Sequence, residues 1–294
     1  MKFLKIGIIG TAVISIIIIA IFLGFGIKEY PIEDLPIEAV PTEDLPSSDT
    51  ELIKMNMGVL FDVFVDPKDI IVADGKQTIM KATFKLNPDL SDIYSEIGVY
   101  DKKKKPLVII PLYTASAYAE NGFYYYYHGI CDTCLTTKIV SIDKLQEQSS
   151  ANAVKILTLL GYDSITDIEL DKNPSIISKY DKIIVLHNEY VTRNMFDAIT
   201  SHPNVIYLYP NALYAEISTN FVDNTITLVR GHGYPDMDIA NGFDWEFENT
   251  NPYEYDKVCD NWEFYDIPNG KMLNCYPEQK IWKDKELLKT LKEL

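Results

Sequence analysis

A run of apolar, β-branched residues in KIIVLHNEYVTRNMFDAI, Lys182 to Ile199, stops at His187-Asn188-Glu189-Tyr190, just ahead of a helical pattern. Imidazole, carboxylate and phenol so close together can hold a transition metal or pass a proton, with the carboxylate acting as base toward a bound water. Glu189 and His187 are therefore the candidate catalytic residues. The plain structural alternative is that Glu189 caps the following helix, while His187 and the tyrosines hydrogen-bond the loop. Two more polar sets leave strand-like runs: Asn211, Tyr214 and Glu216 after Val205 to Tyr209, and Arg230, His232, Tyr234 and Asp236 after Thr225 to Val229. Of these, with Tyr190, the candidate ligand-binding side chains are Asn211, Tyr214, Arg230 and His232.

The cysteines offer a second chemistry. His128, Cys131 and Cys134 have the spacing of three zinc ligands, but a single Cys-x-x-Cys is a weak signal and an outer compartment favours a disulfide between Cys131 and Cys134. Cys259 and Cys275 flank two short strand-like runs around Pro268-Asn269-Gly270, and a turn there would bring them together as a disulfide. The five aromatics Phe123 to Tyr127 could line a ligand cleft, but an aromatic strand packed on the sheet is the preferred reading. Asp236-Met237-Asp238 resembles the start of a calcium loop, but Ala240 occupies a ligand position and the EF-hand reading fails. Neither a Gly-x-Ser-x-Gly elbow nor a P-loop is present, which disfavours serine hydrolases of that type and P-loop nucleotide hydrolases.

The elements that must position these groups alternate. Leu107 to Leu112, Asp181 to Leu186, Val205 to Tyr209 and Thr225 to Val229 read as strands; Ser149 to Leu160 and Val191 to Ser201, the latter with Thr192 as cap, read as helices. Strand and helix in alternation predict a doubly wound, flavodoxin-like α/β sheet, whose ligands sit beyond the C-terminal strand ends. Ahead of it, Val59 to Val65, Ile70 to Val72 and Thr78 to Leu86, with Asp74-Gly75 as a hairpin turn, predict a small β module. After it, Gly233 to Pro277 reads as a disulfide-tied excursion and Lys283 to Leu294 as an amphipathic helix.

His187-Asn188-Glu189-Tyr190, Asp197-Ala198-Ile199 and Val205 to Tyr214 together resemble the C-terminal domain of the N,N-dimethylformamidase large subunit. That family joins a His-x-Glu-Tyr loop through a helix and a strand to Gly-Gly-Asn-x-x-Tyr-Trp. The resemblance spans about residues 107–229 and implies a fold like that of class I glutamine amidotransferases. It also implies an iron-dependent amide hydrolase whose ligands would be sought among Glu189, Tyr190 and Tyr214. This chain departs from the pattern with Tyr209-Pro210 for Gly-Gly, Ala215 for Trp after the Tyr, and Val191 for Trp in the first loop. The amidotransferase nucleophile, a Cys after a central strand, has no counterpart at Pro210-Asn211-Ala212.

The N-terminus speaks of location. Ile6 to Ile27 is an uncharged, Ile-rich run of bilayer length. A cleaved signal peptide is the competing reading, but its apolar region is usually shorter and ends in a small-residue site, which Phe25-Gly26-Ile27-Lys28 does not offer. Lys2 and Lys5 before the run keep that end inside, so a retained signal-anchor turns the rest outward. Pro31, Pro36, Pro41 and Pro46, spaced by acidic residues, then make a stiff stalk. The expected organisation is an anchor over residues 1–28, stalk 29–50, β module 51–100, α/β domain 101–232 and C-terminal excursion with helix 233–294. With three of its 27 Lys and Arg at or before Lys28, and all of its 43 Asp and Glu after it, the outer part carries a charge of about −19. That charge repels nucleic acid and anionic lipid and makes both poor partners; cations or a basic partner are electrostatically easier. The expectation is a non-catalytic domain binding a small molecule or a surface protein, and the alternative is a hydrolase of amide or related C-N bonds using iron or zinc.

Overall fold

Continuous apolar runs along short strands, buried on both faces, decide the architecture. The structure, a computed structural model, describes residues 52–56, 59–73, 76–79, 81–245 and 253–294. The anchor, the stalk and the Asp74-Gly75 turn lie outside the described residues. Among the described residues no helix is long and apolar enough to cross a membrane.

The strands, in chain order, are β1 (Ile53–Met55), β2 (Phe61–Val65), β3 (Ile70–Ala73), β4 (Lys76–Ile79), β5 (Thr83–Leu86), β6 (Leu107–Ile110), β7 (Thr136–Lys138) and β8 (Asp163–Thr166). There follow β9 (Ile183–Val185), β10 (Tyr190–Thr192), β11 (Val205–Tyr207), β12 (Ala215–Asn220), β13 (Thr225–Arg230), β14 (Phe264–Ile267) and β15 (Gly270–Leu273). The main sheet has the order β14-β15-β11-β9-β6-β8. All its pairings are parallel except the β14–β15 hairpin at the edge. Counted along the chain, the five parallel strands therefore lie side by side as second, first, third, fourth and fifth.

Because side chains alternate across a strand, each strand feeds two cores. Val108, Ile110, Ile184, Leu186 and Ile206 pack in one core with Ile156 and Leu157 of the helix Ala151–Leu159 and with Leu287, Leu288 and Leu291 of the helix Lys285–Glu293. Leu107, Ile109, Ile183, Val185 and Val205 pack on the other side with Leu170, Met195 and Ile199, from the helices Asp167–Lys172 and Arg193–Ser201. Two helical layers enclosing a mostly parallel sheet form the α/β domain expected from the alternation. Phe61, Val63 and Phe84 of the N-terminal strands join the first core, with Phe84 5.6 Å from the Trp282 ring, so these strands share the interior of the α/β body.

Three local expectations are corrected. Thr225 to Val229 does not join the main sheet; β13 pairs antiparallel with β12 and β7 in a four-stranded sheet that runs β10-β12-β13-β7. The aromatic run is a helix, Phe123–Tyr127, rather than a strand. The region after Gly233 ends in the β14–β15 hairpin, which extends the main sheet instead of packing on it as an excursion. A glycine permits that extension: a Cβ at Gly270 would stand 1.8 Å from the Val205 carbonyl oxygen. Gly270→Ala should cost about 1–3 kcal/mol, the range for overpacking. A lower urea midpoint at unchanged m-value checks this.

Candidate functional site

Glu189 leaves the C-terminal end of β9 in a loop held to the next strand exit by main-chain bonds. The Leu213 amide donates to the Asn188 carbonyl at 2.8 Å, and the amides of Tyr214 and Ala215 donate to the Glu189 carbonyl at 2.8 and 2.9 Å. The Glu189 amide itself donates to the Thr114 hydroxyl, 3.0 Å away. Its side chain is thereby turned inward, with no solvent exposure. The helix that follows is capped by Thr192, whose hydroxyl accepts from the Met195 amide. The capping role considered for Glu189 therefore belongs to Thr192.

His232 arrives from the other sheet. Gly231 lies so close to Ala215 and Gly242 that an added Cβ would sit 3.0–3.1 Å from their backbone atoms, and its φ of +114° is open to glycine. This close crossing brings the His232 Nε2 into contact with Glu189 Oε1. Tyr124 donates to the same oxygen at 3.4 Å. On the opposite side His187 places its Nε2 3.8 Å from Glu189 Oε2, while its Nδ1 lies 2.6 Å from the Gln148 carbonyl.

Tyrosines roof the carboxylate. Around the His232 ring stand Tyr214 at 4.8 Å, Tyr127 at 5.1 Å, Tyr190 at 5.5 Å and Tyr124 at 5.7 Å between centroids. Tyr118 stacks on Tyr124 at 3.8 Å, and their hydroxyls touch. Burial works to raise the Glu189 carboxyl, but the attraction and hydrogen bond of His232, with His187 and the nearby Tyr118 hydroxyl, hold it below its ordinary value. Burial, reinforced by the Glu189 charge, pushes the phenols of Tyr118, Tyr124 and Tyr190 well above theirs. The carboxylate is thus ionised and the phenols remain protonated at neutral pH.

Glu189 Oε2, His187 Nε2 and the Tyr190 hydroxyl are all buried without a hydrogen-bond partner. Unmet buried polar groups are uncommon and each has a cost. Tyr118, whose ring lies 6.1 Å from that of His187, and Gln148, whose carbonyl His187 meets, line a cavity of about 240 Å³ with Gln146 and Ser149, but none of the three groups forms part of its wall. Backbone strain gathers here as well: Asn211, Leu213 and His232 have φ of +59°, +56° and +50° without being glycine.

Of the residues singled out in the sequence, His187, Glu189, Tyr190, Tyr214 and His232 meet in this cluster. Asn211 is nearby but gives its amide to Glu254. Arg230 is spent on the loop, donating to the Gly242 carbonyl at 2.7 Å and Asp244 at 3.2 Å. Glu216 pairs with Arg193 at 2.7 Å. The zinc reading of His128, Cys131 and Cys134 is corrected, because both sulfurs are consumed in a Cys131–Cys134 disulfide. The second disulfide joins Cys259 and Cys275. Both fit an oxidising, extracytoplasmic compartment. Among the described residues no group of three or more His, Cys, Asp or Glu side chains is arranged to hold a metal ion. Sequence reasoning missed Tyr118, Thr114 and Gln148; the run Phe123 to Tyr127 was the one signal pointing to the aromatic roof.

No protein-family model matches the chain, and no curated protein sequence is significantly similar to it.

Proposed function

We propose that this is a membrane-anchored, extracytoplasmic domain of flavodoxin-like, amidotransferase-like type that binds a small ligand at the Glu189 cluster without transforming it. The strand order second, first, third, fourth, fifth is the flavodoxin-like order, and it supports that reading of the fold. The observation that carries the function is the meeting of three buried groups without a hydrogen-bond partner, Glu189 Oε2, His187 Nε2 and the Tyr190 hydroxyl, behind Tyr118 and Gln148, which line a cavity. Strained backbone at Asn211, Leu213 and His232 supports it further, because such strain persists where a site is held in shape for use.

The departures of the strand-exit loops support binding over catalysis, with Tyr209-Pro210 where the resembled family has Gly-Gly and Ala215 where it has Trp. All four cysteines are in disulfides, and the Thr114 hydroxyl is engaged by the Glu189 amide. One contact favours the alternative of amide or related C-N bond hydrolysis: Glu189 orients the His232 imidazole, as a carboxylate does for a general base. Glu189 Oε2 and the Tyr190 hydroxyl are the oxygens that would hold an iron or zinc ion, and such an ion would supply Lewis acidity.

Saturation-transfer NMR with a mixture of small cations, anions and neutral amides tests the binding reading on the full-length chain in nonionic detergent. Some probes should give signals that disappear in a folded Glu189→Gln, Tyr190→Phe variant. If no probe distinguishes the two proteins, the binding reading fails.

A further inference from the structure

The two disulfides differ in what governs exchange with a thiol. Cys259 and Cys275 lie sixteen positions apart and have no exposure, so their bond closes a long loop and is shielded from attack. Cys131 and Cys134 lie three positions apart, and a loop so short restrains the unfolded chain least. Cys131 is half-buried between the exposed Ile130 and Asp132, whereas Cys134 is buried. An incoming thiolate therefore meets the Cys131 sulfur, and Cys134 is the leaving group. The position of this bond matters as much. The Ile130 and Cys131 amides donate to the Tyr125 carbonyl at 2.8 and 3.1 Å, which fastens Cys131 to the helix Phe123–Tyr127. Just beyond Cys134 the Leu135 carbonyl accepts from the Leu228 amide at 2.9 Å, and β7 pairs with β13, the strand that leads into His232. The disulfide thus clamps the helix that carries Tyr124, 3.4 Å from Glu189, and Tyr127, 5.1 Å from the His232 ring, to the sheet that delivers His232.

We propose that Cys131–Cys134 is a redox-active site, which takes two electrons from a dithiol partner and on reduction releases the aromatic helix from the Glu189 cluster. A thiolate of the partner attacks Cys131 Sγ, the bond between the two cysteines breaks, and Cys134 leaves as a thiolate that takes up a proton. The partner's second thiolate then attacks the partner sulfur of the mixed disulfide and expels Cys131, which is protonated in turn. One disulfide and one dithiol thereby exchange states, and no other oxidant or reductant is needed. The Thr133 hydroxyl, 3.7 Å from Cys131 Sγ, is placed to donate to that sulfur as it gains charge. Gly129, between the helix and Cys131, has a φ of +65° and nothing within 4 Å of where its Cβ would stand, so no packing holds this segment once the bond is cut.

The test gives folded full-length protein, in nonionic detergent, short pulses of dithiothreitol, quenches with N-ethylmaleimide and locates the label by peptide mass spectrometry. Cys131 and Cys134 should be labelled about tenfold or more faster than Cys259 and Cys275. Equal rates, or protection of Cys131 and Cys134 until urea unfolds the chain, would overturn the proposal. In the same protein labelled with ¹⁵N-histidine, the His232 resonance, assigned by a His232→Asn variant, should shift on reduction and return with oxidised glutathione. His202, whose ring lies against the Asn204 and Tyr180 carbonyls at the other end of β9, should stay in place. Reduction that leaves His232 unmoved, or that moves both histidines, would overturn the release of the helix. A Cys131→Ser, Cys134→Ser variant should show the reduced spectrum without reductant; the wild-type kinetics do not depend on its folding. No ligand enters these measurements, so their failure is distinct from failure of the binding reading.

Discussion

Replacing Glu189 with alanine should cost about 3–5 kcal/mol of unfolding free energy, the loss usual when one partner of a buried ion pair is removed. The carboxylate has no exposure and receives the His232 imidazole, with Tyr124 at 3.4 Å and His187 at 3.8 Å. Alanine would leave these polar groups facing one another around a hole, so both the lost bonds and the new cavity count against the fold. Urea unfolding followed by tyrosine fluorescence measures it; a loss below about 1 kcal/mol, the value of an exposed pair, would show that the cluster is solvated.

Raising the pH should weaken the fold through a second glutamate. Glu278 is fully buried, with its Oε1 accepting from the Asn152 amide at 2.6 Å and its Oε2 against the Tyr209 hydroxyl. Burial pushes its carboxyl up from 4.5 to about 8, despite these hydrogen bonds. The folded chain therefore keeps a proton that the unfolded chain releases. Its contribution to stability is full below the unfolded value and is lost as pH rises through the folded one, at up to about 1.4 kcal/mol per pH unit. Urea midpoints should accordingly fall between about pH 5 and pH 8, and Glu278→Gln should flatten that part of the profile. Glu189 has the opposite sign: its lowered carboxyl contributes above the unfolded value and loses that contribution on acidification through the folded one.

These two glutamates show where sequence reasoning reached and where it stopped. Glu189 was visible because it follows a β-branched run, and the C-terminal edge of a parallel sheet collects ligands. Tyr190, Tyr214 and His232 were legible on the same rule, although His232 reaches the edge from a different sheet. Glu278 had no such signal: it lies beyond a Cys and a Pro in an irregular stretch, and only the packing of Tyr209 and Asn152 makes it a buried acid. The aromatic roof was half legible. Consecutive aromatics favour a strand by propensity, yet at Phe123–Tyr127 a single helical turn buries Phe123 and aims Tyr124 at Glu189. The C-terminal hairpin was visible as a hairpin, but its place in the main sheet depends on Gly270 meeting Val205, a contact far apart in sequence. Local pattern thus marked the elements, whereas their neighbours followed from long-range packing.

Saturation-transfer NMR on wild type and on a folded Glu189→Gln variant tests the central claim, that the cluster holds a small ligand. Glutamine preserves the shape and an acceptor for His232 but removes the buried charge. Wild type should give probe signals that the variant loses. Equal signals from the two proteins, or none from either, would contradict that claim.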